Sequence, residues 1–316
     1  MENLKNKLVT LTLLLIPFMG SSQYTEIEVK NIIAQASEQE LVIESSRLLQ
    51  ENFFHFADLV TDKLLEINPK SPNYKYRKGF IELEMRHNYA KAIELFSSST
   101  GNIDRNYDMY SIKEGSVPAD IFYHLGRAYH LNEEFDKAIE NFNVFLEQTH
   151  KNSELIPEAE NRIKQCGAGK KLMASPKDVE VVNLGDSINT ENAEFSSNIS
   201  LDGRALYFTS RRPWAKGETN GFKDPMLNHF PEDIYQAELS KNNEWQNTHR
   251  MSMCKPNFNE ATVSVSMDER RVYTYNDKSG VGDIYYSDYL NGQFSAIVPV
   301  KINDVNNAER WETHYT

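Results

Sequence analysis

The sequence predicts a multidomain chain, α then β: an N-terminal α-solenoid followed by an incomplete β-propeller. Three observations carry that expectation. An aromatic-x-x-Ala offset recurs three times in the first half, a four-strand pattern recurs in the second, and the composition changes between them at Ala174-Ser175-Pro176. Repeated short helical units stack as solenoids, and repeated units of four short strands read as propeller blades. The expected boundaries are a signal peptide at 1–22, a helical domain at 25–175 and a β domain at 176–316.

Composition bounds the function. The 316 residues are 40% hydrophobic and 25% charged, enough to bury cores, and the length carries a prior of two domains. The net charge of −12 and pI near 5.2, with no Lys/Arg stripe, argue against nucleic-acid binding. Two cysteines, Cys166 and Cys254, are too few for a disulfide framework or a Cys-based zinc site. Either one bridge or two buried free thiols fits them.

Lys5 and Lys7 precede an apolar run from Leu8 to Met19, followed by Gly20, Ser21 and Ser22. This order of charge, short apolar core and small residues predicts a secretory signal. The apolar run is 12 residues, short of the roughly 20 that span a bilayer. No Cys sits near the cut, so a lipid anchor is not expected. The mature chain is expected to be exported and not an integral membrane protein.

In the helical half, Phe54 and Ala57 lead to Pro69, Tyr89 and Ala92 to Phe96, and Phe135 and Ala138 to Phe142. A small residue at the alanine lets the two helices of a hairpin approach, and the aromatics are expected to fill the gap between successive hairpins. The third copy, Phe122, Leu125, Gly126, Tyr129, Ala138 and Phe142, resembles the tetratricopeptide repeat. The second departs from it, with Lys75 and Lys78 at positions that should be apolar. Ala57 to Ala92 is 35 residues and Ala92 to Ala138 is 46; the excess falls in the polar loop Thr100 to Gly115. Tetratricopeptide arrays bind partner segments on the face lined by the first helix of each pair. On that resemblance Tyr123, Arg127 and His130 are the candidate partner-binding residues.

In the β half, Glu194 to Gly203 aligns with Glu260 to Glu269, each running into a second strand, Ala205–Ser210 and Arg271–Tyr275. Asp202-Gly203 is a hairpin signal, because glycine takes the positive φ of a tight turn. Asp268-Glu269 lacks that glycine, so a different turn is expected. Third strands begin Asp233-Ile234-Tyr235 and Asp283-Ile284-Tyr285, and fourth strands lie near Trp245 and Phe294. These strings closely resemble the WD40-like repeats of TolB-type propellers. Glu312 opens a third copy at the end of the sequence, so two blades and a stub are expected here, as the N-terminal part of a longer protein.

No catalytic constellation is present: neither a Gly-x-Ser-x-Gly elbow nor a His-Glu-x-x-His helix occurs. Gly167-Ala168-Gly169-Lys170-Lys171 fails as a phosphate loop and is expected to be a helix C-cap and linker. His124 and His130 fall on different helix faces, so no metal site is expected, and no cofactor. Asp202, Asp233, Asp268 and Asp283 recur per unit, which suits turn and scaffold roles better than catalysis. The long loop Arg211 to Pro231, with Trp214, Phe222 and Phe230, either contacts a partner or covers a gap between blades.

Taken whole, including the junction Lys164-Gln165-Cys166 through Ile188-Asn189, the chain resembles the exported tetratricopeptide/propeller/OmpA-like proteins of Bacteroidetes, of the PorE-like, type IX secretion kind. That resemblance implies a non-enzymatic scaffold in the periplasm near the outer membrane, with protein partners in the cell envelope. Peptidoglycan would be gripped only through a C-terminal domain absent from this sequence. Two alternatives stand beside it: the propeller portion of a prolyl-oligopeptidase-like serine peptidase, and a ligand-binding sensory or uptake accessory. Val179 to Leu184 is expected to close a complete ring by pairing with its last blade.

Overall fold

The computed structural model describes residues 25–221, 223–224, 226–278, 282–301, 305–306 and 312. The expected signal segment, Phe222 and the third β copy apart from Glu312 lie outside the described residues.

The helical half is built from α1 (Glu26–Gln35), α2 (Glu38–Gln50), α3 (Phe54–Ile67), α4 (Pro72–Glu84), α5 (Tyr89–Ser97), α6 (Asp120–Leu131), α7 (Phe135–Gln148) and α8 (Ile156–Met173). Starts are set locally. Thr25 and Ser37 form capping boxes with Glu28 and Glu40, and Ser71 and Asn88 cap the backbone of α4 and α5. The pairs α2–α3, α4–α5 and α6–α7 are antiparallel hairpins. Each turns through a residue with positive φ, Asn52, His87 and Glu133 in order. α1 packs on α3, and α8 packs on α7. This is a tetratricopeptide-like solenoid.

Ala57, Ala92 and Ala138 are each 0% exposed, as the close approach of paired helices requires. The aromatics do both jobs. Phe54 meets Phe80 of the next hairpin at 5.8 Å, as expected, while Phe96 and Phe142 also lie inside their own hairpins, over Gly79 and Gly126. A Cβ on Gly79 would stand 2.8 Å from Phe96, and one on Gly126 2.7 Å from Phe142. Between the second and third hairpins His124 joins them, its ring 4.9 Å from Phe80, 6.1 Å from Tyr76 and 6.2 Å from Phe96. The departure at Lys78 also has a cause. Its ammonium sits 2.5 Å from Asp58 and 2.6 Å from Asp62, while Arg86 takes the other Asp58 oxygen. An ion network therefore joins the first two hairpins where apolar packing was expected.

In the β half, β1 (Glu194–Ile199), β2 (Ala205–Ser210), β3 (Asp233–Leu239) and β4 (Trp245–Arg250) form one antiparallel meander. β5 (Glu260–Val265), β6 (Arg271–Asn276) and β7 (Asp283–Leu290) form a second, and β7 also pairs with the short strands β8 (Gln293–Phe294) and β9 (Val298–Pro299). The sheets meet through β5, which packs against β1, β2 and β3. Thr262 Oγ1 lies 3.0 Å from Thr209 Oγ1 and donates to the Ser196 carbonyl at 2.6 Å.

The two hairpin turns correct a second expectation, because they are alike. Asp202 accepts from Ser200 Oγ and from the Arg204 amide, and Asp268 does the same from Ser266 Oγ and the Arg270 amide. Gly203 has φ 75°, and Glu269 takes the same left-handed region at φ 56°. The carboxylate of each Asp fixes the turn, so glycine is favoured there but not required. A third correction concerns Gly167 to Lys171. It is neither cap nor linker but part of α8, which runs on to Met173 because Gly169 lets the helix close on Phe135, 2.7 Å from a would-be Cβ. Beyond it Val179 to Leu184 belongs to no strand among the described residues and is exposed, Val181 to 94%.

Candidate functional site

Two places bring chemistry-bearing side chains together: the face formed by the first helices of the hairpins, and the junction of the two sheets.

On the helical face the loop Thr100 to Gly115 is not a free polar excursion. It is pinned at its base, where Val117 donates to the Asn102 carbonyl and Asp104 to the Val117 carbonyl, both at 3.0 Å. It then lies on α2 and α4. Gln39 donates to the Tyr110 carbonyl at 3.2 Å, Tyr107 to Asn73 Oδ1 at 2.9 Å, and Tyr110 to Gln50. Arg77 is the centre of this contact. Its fully buried guanidinium donates to Asn73 Oδ1 at 2.9 Å, Ser46 Oγ at 2.9 Å, the Val42 carbonyl at 3.3 Å and the Met109 carbonyl of the loop. No carboxylate pairs with it among the described residues, and burial lowers its pKa. The chain thus occupies its own first-helix face across the first two hairpins.

The third hairpin is different. Among the described residues no hydrogen bond runs from that loop to α6. Of the three sequence-chosen residues, Tyr123 is 2% exposed, packed on Phe142 and Phe145. Its ring is in the core, and its hydroxyl meets Glu158 and Arg162 of α8. Arg127 forms a two-point ion pair with Glu84 of the preceding hairpin. His130 packs edge-on to Phe135 at 5.8 Å, and burial, then the nearby Arg162 charge, lowers its pKa. Arg127 Nε and His130 Nδ1 have no hydrogen-bond partner. The structure therefore gathers the three residues with Glu158 and Arg162 between α6 and α8, with Tyr123 as the buried floor. The α8 contribution was missed because nothing in the repeat marks α8 as part of that face.

At the sheet junction, Asp233 opens β3 and Glu260 opens β5, both 1% exposed, with Cys254 buried in the segment between the sheets. Their ligand atoms lie within 4.8 Å of one another. Asp233 Oδ2 accepts from Trp214 Nε1 at 2.5 Å and Asn220 Nδ2 at 3.1 Å, whereas Oδ1 has no partner among the described residues; the Cys254 thiol lies against this carboxylate. Burial pushes the Asp233 carboxyl up to about 6, and burial together with the Asp233 charge pushes Glu260 up to about 8. Burial also drives the Cys254 thiol well up. Asp233 is thus no turn residue, unlike Asp202 and Asp268, and its counterpart Asp283 is only half-buried and bonded to Tyr285. The long loop Arg211 to Pro231 also serves this junction. Trp214 reaches Asp233, Arg250 stacks on Trp214 at 3.3 Å, and the Met226 carbonyl accepts from the His55 amide of the first hairpin at 3.0 Å. Both cysteines are free.

No family model and no curated protein matches the chain. Among solved structures it is similar to tetratricopeptide-domain proteins. One is the TPR2B domain of yeast Sti1, solved as a pHsp70 complex, at 10% identity and TM-score 0.33, over 42% of this chain and 96% of that one. Another is SycD, the type III secretion translocator chaperone of Yersinia enterocolitica, at 13% identity and TM-score 0.34, over 45% and 94%. A third is MamA, from residue 41 to its end, of Desulfovibrio magneticus RS-1, at 17% identity and TM-score 0.30, over 46% and 85%. No helix among the described residues is long and apolar enough to cross a membrane.

Proposed function

We propose that the chain is a non-enzymatic scaffold that holds a protein partner on the α6/α8 face, and that it works in the periplasm at the outer membrane. The observation that carries the binding role is the contrast along the solenoid. The first two hairpins have their first-helix face filled by the Thr100 to Gly115 loop, while the third carries Arg127 Nε and His130 Nδ1 unpaired. Both atoms are enclosed in the free chain and cost stability while unpaired, and a side-chain rearrangement on binding a partner that supplies acceptors and donors recovers it. A partner segment with carboxylates or backbone carbonyls suits Arg127 and Arg162.

The localisation rests on the N-terminal Lys5 to Ser22 pattern, and the envelope and type IX secretion setting on the resemblance of both halves to the PorE-like family. The two meanders, alike in strand order and packed side by side through β5, support the reading of the β half as part of a WD40-like propeller. The test is fractionation and cross-linked co-purification from the native host, comparing the wild type with an Arg127→Ser/His130→Ala variant. The expected result is envelope recovery of both proteins, with one specific protein partner reduced at least tenfold in the variant while its far-ultraviolet circular dichroism at the growth temperature matches the wild type. Cytoplasmic recovery, or equal partner recovery from both, contradicts the proposal.

A further inference from the structure

The two sheets carry the same carboxylate in two different electrostatic settings. Glu194 opens β1 and pairs in register with Ser210; Glu260 opens β5 and pairs in register with Asn276. Glu194 is neutralised by a guanidinium, Arg212 Nη2 at 3.1 Å, two residues beyond Ser210. The corresponding residue of the second sheet is Lys278, which forms no ion pair with Glu260 among the described residues. Among the described residues Glu260 accepts hydrogen bonds from neutral donors, Asn276 Nδ2 at 3.0 Å and the Lys255 amide at 3.3 Å, and the Lys255 ammonium acts on it without forming an ion pair. Where the first carboxylate meets a cation, the second meets another buried carboxylate and a thiol. Arg250, whose charge acts on Asp233, is already paired with Glu218 at 3.0 Å and stacked on Trp214. The arrangement lacks a positive charge at its centre.

We propose that Asp233, Cys254 and Glu260 bind a divalent cation of the zinc class that fastens the first sheet to the second. Asp233 supplies one carboxylate ligand, its buried Oδ1 being left without a hydrogen bond among the described residues. Cys254 supplies sulfur and Glu260 a second carboxylate. An ion central to atoms no more than 4.8 Å apart sits within about 2.8 Å of each. Zinc needs roughly 2.0–2.3 Å, so the ligands contract by about half an ångström or more. One thiolate with two carboxylates suits a borderline ion better than calcium or magnesium, which take oxygen ligands alone. Glu260 and Asn276 line a cavity of about 340 Å³ together with Lys255 and Met253, which gives the ion a way in and a water for its fourth position. Binding displaces the Cys254 thiol proton and, below about pH 8, the proton on Glu260, and both leave to solvent.

The test uses the full chain, stripped by a chelator and titrated with cobalt and then zinc. The expected result is one cobalt per chain with a near-ultraviolet thiolate-to-cobalt charge-transfer band, displaced by zinc. The band is lost in Cys254→Ser and kept in Cys166→Ser, and zinc affinity falls at least tenfold in Glu260→Gln. Zinc at a hundred times its dissociation constant raises the melting temperature of the wild type. Absence of the charge-transfer band from folded wild-type protein overturns the proposal without recourse to any variant. So does a band that survives Cys254→Ser, or a melting temperature indifferent to zinc.

Discussion

Replacing His124 by phenylalanine should make the protein more stable and remove part of its sensitivity to acid. His124 lies on α6 between the second and third hairpins, buried among Tyr76, Phe80, Phe96 and Tyr123, and its Nδ1 has no hydrogen-bond partner among the described residues. Burial, aided by the Arg127 charge, holds its pKa down at about 3, against 6.5 for an unperturbed imidazole. The folded state therefore keeps the ring neutral, while the unfolded chain takes up a proton below pH 6.5. Stability from this source is complete above pH 6.5 and is lost steadily as pH falls toward 3. At about 1.4 kcal/mol per pH unit, His124 accounts for a loss of about 2 kcal/mol at pH 5. Phenylalanine fills the same aromatic gap and leaves no polar atom unpaired, which adds about 1–2 kcal/mol at neutral pH. The assay is urea denaturation followed by far-ultraviolet circular dichroism at pH 5 and pH 7.5, wild type against His124→Phe. The variant should gain more at pH 5 than at pH 7.5, the difference being about 2 kcal/mol. Equal gains at both pH values, or a destabilised variant at either, would refute the enclosed neutral histidine.

Other substitutions probe the remaining contacts. Arg77→Met removes the guanidinium that ties Met109 of the loop to α2 and α4, takes its hydrogen bonds from the Met109 and Val42 carbonyls, and should cost about 1–3 kcal/mol. Hydrogen exchange should show the Asp104 and Val117 amides losing protection before those of α7. Gly126→Ala puts a Cβ 2.7 Å from Phe142 and should destabilise by about 1 kcal/mol net, after overpacking is set against helix propensity. Gly167→Ala, where nothing lies within 4 Å, should stabilise by up to about 1 kcal/mol, and thermal melts of the two separate the cases. Glu269→Gly relieves a left-handed backbone at φ 56° and should add about 0.5–1 kcal/mol in the same melts.

What could be read from the sequence was whatever repeats at short range. The alanines at 57, 92 and 138 announced three hairpins, and β2 was legible to the residue at Ala205–Ser210. What could not be read depends on long-range placement. The loop from Thr100 to Gly115 was legible only as polar excess length in the repeat, because its anchors are backbone carbonyls met by Arg77 and Gln39, which no local pattern marks. The turn at Asp268 was misjudged because the preceding Ser-x-Asp, not the following glycine, organises it. Tyr123 was assigned to a binding face when its ring belongs to the core and only its hydroxyl reaches α8. The cluster of Asp233, Cys254 and Glu260 was hidden in the same way. The aspartates were judged as a repeated set, and a cysteine six residues before a glutamate signals nothing until β3 and β5 bring them together.

The central claim is that the α6/α8 face, in an exported protein, holds a protein partner. The most direct measurement places a photo-cross-linking amino acid at Glu158, beside Arg127 and Tyr123, and in a second protein at Glu140 on the outer helix α7. Both are irradiated in living cells of the native host, followed by fractionation and mass spectrometry. The account predicts one discrete envelope protein cross-linked from Glu158 and not from Glu140, and lost when Arg127→Ser is added. No adduct from Glu158, or the same adducts from both positions, would contradict it.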